Sequence, residues 1–73
     1  MSYHYTIILD HQTDGGYHVF CPALQGCRSE GDTLDEALDN IKEAIGLYIE
    51  SLKAHGEAIP TENLMIKPIE VCA

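Results

Sequence analysis

Any chemistry in this chain would have to come from carboxylates, imidazoles or thiols. The 73 residues include twelve Asp and Glu, four His and three Cys. Asp10 ends an apolar-alternating run, Glu36, Asp39, Glu43 and Glu50 recur at helical spacing, and Glu70 lies in a late apolar run. Acidic groups drawn from strands and a helix are how a metal-dependent nuclease holds Mg²⁺. Such an enzyme also needs Lys and Arg for the phosphates of its substrate. Only Arg28, Lys42, Lys53 and Lys67 are available, and they are scattered. Asp10 and Glu30 have no basic companion, and the helix carboxylates face away from any sheet the helix covers. The carboxylates therefore read as a solvated face rather than a catalytic set.

The other chemical groups converge no better. A metal site needs three or four ligands that meet. His4, His11, His18 and His55 form no pair at helical spacing, and Cys21, Cys27 and Cys72 form no Cys-x-x-Cys pair. No metal and no cofactor is expected, and Cys21 and Cys27 read as a reduced pair across a turn. The stretch Gly26-Cys27-Arg28-Ser29-Glu30-Gly31-Asp32-Thr33 imitates a phosphate loop before a helix. Asp32 stands where that loop places its lysine, and Glu30, Asp35 and Glu36 surround the same helix start and would repel a phosphate. Two turn glycines flanking a short strand explain the stretch. No Ser-His-Asp or Cys-His arrangement has support, so the chain is expected not to be an enzyme.

Net charge is −8. Direct nucleic-acid binding and docking on an anionic membrane are therefore not expected, and a basic protein is the natural complement. The start, Met1-Ser2-Tyr3-His4-Tyr5, has neither the basic region nor the apolar run of a signal peptide. No stretch approaches the roughly 20 apolar residues of a membrane span. The expectation is a cytoplasmic protein with reduced thiols.

These side chains must be positioned by one domain over residues 1–73, a length at which only about 60% of the unfolded surface is buried and oligomerisation is a common remedy. Tyr3 to Leu9 reads as a strand, with Tyr3, Tyr5, Ile7 and Leu9 on one face. Thr13-Asp14-Gly15-Gly16 carries hairpin-turn chemistry. Tyr17 to Cys21 is a second strand, stopped by Pro22, and Cys27 to Gly31 a short third one. Thr33 caps a helix and Glu36, three residues on, completes a capping box. The helix runs from Leu34 to His55 and stops at Gly56. Leu34, Leu38, Ile41, Ile45, Tyr48 and Leu52 make its apolar stripe, with Leu38, Ile41 and Ile45 expected to be its most buried members. Leu64 to Val71 reads as a last strand that Pro68 confines to a sheet edge. The expected fold is α+β, β-β-β-α-β, with strand order 3-2-1-4 and one helix packed on one face. One helix leaves the other face, with Ile8 and Phe20, uncovered, so a homodimer or higher oligomer is expected.

Two stretches together resemble the HicB-like antitoxin family. The first is Gly16-Tyr17 followed by Pro22-Ala23-Leu24-Gln25-Gly26-Cys27; the second is Gly31-Asp32-Thr33-Leu34-Asp35-Glu36-Ala37, with Ile59-Pro60 after the helix. The resemblance spans Tyr3 to Pro60. It implies a partial ribonuclease H-like domain without nuclease activity. It also implies a partner, a small basic HicA-like toxin that cleaves messenger RNA and is neutralised by occlusion. Many HicB proteins carry a C-terminal DNA-binding domain; with its end at Ala73, this chain reads as a short stand-alone member without one.

The expected function is therefore a non-catalytic antitoxin-type module. Glu36, Asp39, Glu43, Leu47 and Glu50, on the helix face opposite the stripe, are the expected partner-binding patch. The alternative is an orphan oligomeric interaction or small-ligand module that keeps the fold without a toxin.

Overall fold

A computed structural model describes residues 2–73. Three strands, β1 (Ile8–His11), β2 (Tyr17–Phe20) and β3 (Arg28–Gly31), precede one helix, α1 (Leu34–Ala54). The sheet is antiparallel in the order β1-β2-β3.

The turns follow from their residues. Between β1 and β2, Gly15 adopts φ +102° and donates to the Gln12 carbonyl, a conformation that suits glycine. Between β2 and β3, the Cys21 and Cys27 backbones bond at 3.0 Å and the intervening turn folds Leu24 inward, leaving it 1% exposed. The core gathers Val19, Cys21, Leu24 and Cys27 from this hairpin, with Ala37 and Ile41 from the helix.

The helix begins and ends where its caps place it. The Thr33 hydroxyl accepts from the Glu36 amide at 3.1 Å. At the other end Gly56 takes φ +67°, its amide donates to the Lys53 carbonyl, and the Glu57 amide donates to Leu52. That pair of bonds is a Schellman ending. Among the described residues, no helix is long and apolar enough to cross a membrane.

Three expectations need correction. The first strand starts at Ile8, not Tyr3. By the β1–β2 register Thr6 would face Pro22, which has no N–H to offer, so the ladder cannot extend that far. Tyr5 and Ile7 still pack against the core as expected. Second, residues 64–71 form no strand here, and Leu64, Met65, Ile66, Ile69 and Val71 are all exposed. The sheet thus shows the 3-2-1 part of the expected order, with no fourth strand among the described residues.

Third, the helix sits further round its axis. Its buried members are Ala37, Ile41 and Ile49, while Leu38 and Ile45 are half-buried and Leu34 is exposed. The cause is the contact between α1 and β3. Gly31 lies against the backbone of Glu36 and Ala37, with no room for a side chain between. This close approach seats the helix over β3 and β2 and leaves β1 uncovered. Leu9, on the same sheet face as Val19, is consequently 37% exposed.

Candidate functional site

The helix presents Glu36, Asp39, Glu43, Leu47 and Glu50 to solvent, all of them exposed. Their spacing of three and four residues places them in one row on the side of α1 opposite Ile41 and Ile45. Leu47 is 60% exposed within this otherwise acidic row. Its carboxylates are free to meet a cation, and their repulsion is relieved only by water or a partner. Asp35 and Glu36 also stand in the first turn, where the helix dipole favours them.

The sheet carries a second polar row on its open face. Asp10, His18 and Glu30 stand in register across β1, β2 and β3. His18 Nε2 lies 3.5 Å from a Glu30 carboxylate oxygen, and both side chains are largely exposed. An ion pair so open to water is worth little. Ile8, Phe20 and Arg28 form the next row, with Phe20 42% exposed. The sheet stands between Asp10 and Glu30 on one side and Asp39, Glu43 and Glu50 on the other, so these carboxylates cannot share one ion. Among the described residues, no three acidic, His or Cys side chains are placed to hold a metal.

Two of the three thiols are likewise placed for packing. Cys21 and Cys27 are free and buried, and Cys72 is free and exposed. Burial, followed by the neighbouring Cys21, pushes the Cys27 thiol pKa up. A thiol held protonated is a poor nucleophile. The glycines of the phosphate-loop look-alike have structural duties: Gly26 turns the chain at φ +79°, and Gly31 admits the helix.

Two features had no clear signal in the sequence. One is a clasp between the chain's two ends. The Tyr5 hydroxyl donates to the Pro60 carbonyl at 2.6 Å. The Thr6 amide and hydroxyl both donate to the Glu62 carboxylate, the hydroxyl at 2.6 Å. These bonds, the side-chain one first, hold the Glu62 pKa below its ordinary value. The other is an open groove of about 760 Å³ between α1 and the segment leading into β1, lined in part by Tyr5, Ile7, Leu38, Ile41 and Ile45. It exists because the helix leans toward β3.

The described surface thus offers an acidic helix face, a half-apolar sheet face and an apolar groove. Residues 5–70 match the family model described as the HicB-like antitoxin of bacterial toxin-antitoxin system. A UPF0150 protein of Synechocystis sp. is 55% identical over 69 residues, covering 94% of this chain and 87% of its own. One from Thermoplasma acidophilum is 58% identical over 59 residues, covering 81% and 86%. Among solved structures, the N-terminal domain of the Burkholderia pseudomallei antitoxin HicB superposes with a TM-score of 0.72 at 30% identity, covering 81% of this chain and 69% of that one. With its three antiparallel strands, single helix and match from residue 5 to residue 70, the chain belongs to the HicB-like antitoxin family.

Proposed function

We propose that this protein is a cytoplasmic, non-catalytic antitoxin that binds a small basic HicA-like toxin and covers its RNA-cleaving surface. The observation that carries this reading is the family match over nearly the whole chain. The charge of −8 supports it independently, because a protein that cuts RNA must present cations to phosphates. The row Glu36, Asp39, Glu43 and Glu50 offers those cations a competing set of anions, and Leu47 offers an apolar contact at its centre. The protein acts as a homodimer or higher oligomer, in which the fourth place of a ribonuclease H-like 3-2-1-4 sheet is filled.

The test is to co-express the chain with the product of the adjacent gene, purify the pair, and assay RNA cleavage with and without it. Inhibition at equimolar protein and co-elution on a sizing column are expected. Unchanged cleavage at excess protein, with no complex, overturns the antitoxin reading in favour of an orphan interaction module.

A further inference from the structure

Beyond Glu62 the chain is apolar and uncovered. Leu64, Met65, Ile66, Ile69 and Val71 are between 44% and 83% exposed. A cluster of this kind on a small protein marks a surface that meets something. Matching surface lies close by: the groove between α1 and the segment leading into β1, walled by Ile7, Leu38 and Ile45. Among the described residues no strand lies against the outer edge of β1, so its backbone groups on that side have no ladder partner there.

We infer that residues 64–71 of a second copy add as a strand to this edge of β1, each copy giving its tail to the other. The inference rests on the homo-oligomer reading above and names how the copies join. The clasp brings the chain to the β1 side of the molecule at Glu62, yet the tail then leaves without entering the groove.

The chemistry of the tail suits that position. In a strand, Leu64 and Ile66 share one face while Met65, Ile69 and Val71 share the other. Apolar residues on both faces suit a strand with apolar neighbours on both. Beside β1, one face would lie on Leu38 and Ile45 of the groove and the other would extend the apolar row of Ile8 and Phe20 on the open face. Pro68 removes one donor, which an edge strand tolerates on its outer side. Lys67, the tail's one cation, would run past Asp35 and Asp39, which outnumber Lys42 in the lining of the groove. Fully extended, residues 63–73 span roughly 36 Å, enough to cross to a neighbour. Reciprocal exchange doubles the surface one tail buries, toward the roughly 1,200–2,000 Å² of a stable interface.

A second copy fits this surface better than a basic toxin does. Lys67 and Glu70 cancel, so nothing in the tail selects a cation, and of the acidic row only Asp39 reaches the groove, where Lys42 accompanies it.

Cys72 supplies the probe, because it is exposed while Cys21 and Cys27 are buried. A nitroxide is attached to Cys72 of an unlabelled chain, which is mixed with a methyl-labelled C72S chain. Expected are a dimer mass or larger by light scattering and broadening of the Ile7, Leu38 and Ile45 methyl signals in the mixed sample. The double variant I66D/I69D, altered only where the chain is exposed, should keep its helical spectrum and dimerise at least roughly tenfold more weakly. A dimer without broadening in the mixture overturns tail exchange and leaves the oligomer standing. Broadening only when label and isotope share one chain means the tail folds back on its own groove, which also overturns it. A monomer at micromolar concentration overturns both.

Discussion

Gly31 and Ala37 fix the distance between sheet and helix. A Cβ placed on Gly31 would stand 2.5 Å from the Ala37 amide nitrogen, and Ala37 itself is fully buried. Backbone atoms cannot swing aside as the end of a long side chain can. Gly31→Ala is therefore expected to destabilise by about 1–3 kcal/mol through overpacking. Urea denaturation should show a lower midpoint with an unchanged slope. By contrast Gly46→Ala, where an added Cβ meets nothing within 4 Å, should be neutral or stabilising.

The rotated helix makes an ordered prediction. Ile41→Ala removes a side chain that is 1% exposed and should cost about 2–5 kcal/mol. Leu38 is half-buried at the groove, so Leu38→Ala should cost roughly 1 kcal/mol in the monomer. Equal losses in thermal melts would place the helix back where the simple stripe puts it.

Glu62 gives the clasp a pH dependence. Its pKa is lowered in the fold by the bonds from Thr6. A lowered carboxylate contributes stability above its unfolded pKa and loses it as pH falls through the folded value. The clasp should thus be closed at neutral pH and open below the usual carboxylate range. The Thr6 amide proton shift, followed by NMR from pH 7 downward, should move with that opening. Glu62→Gln should abolish the transition.

Native thiol reactivity should separate the cysteines. A maleimide is expected to modify Cys72 rapidly and to leave Cys21 and Cys27 unmodified until denaturant is added. Mass spectrometry of the native protein should show a single adduct.

For the toxin complex, charge reversal on the acidic row is the decisive change. The double variant E43K/E50K should slow association by roughly tenfold at low salt, with little effect on the helical spectrum. Raising the ionic strength should erase the difference between variant and parent. Stopped-flow mixing measures both.

Much of this architecture was legible in the residues. Thr33 with Glu36 and Gly56 set the helix bounds because caps are local chemistry. Asp14-Gly15 and Pro22 to Cys27 set the turns for the same reason. Three of the four expected strands and the one helix emerged, and Leu47 lies exposed among the acids. What escaped was set by contacts across the fold. Nothing around Gly31 says that a helix backbone will lie on it, and that contact decides which of Leu38 and Ala37 is buried. The apolar run over residues 64–71 describes a strand, but a strand needs an edge to pair with, and the sequence names no edge. Thr6 and Glu62 are ordinary polar residues until folding brings them together.

The spacing of those contacts along the chain bears on how the domain assembles. β1 pairs with β2, β2 with β3, and α1 packs on β3 and β2, so each element meets its sequence neighbours. Such short loops close at little entropic cost, and proteins built this way fold fast. The bonds from Tyr5 to Pro60 and from Thr6 to Glu62 join residues 55 and 56 positions apart. They can form only after the hairpins and helix have brought the ends near each other. Mutations in the clasp should then leave the folding rate unchanged and speed unfolding, while changes at Val19 or Ile41 slow folding.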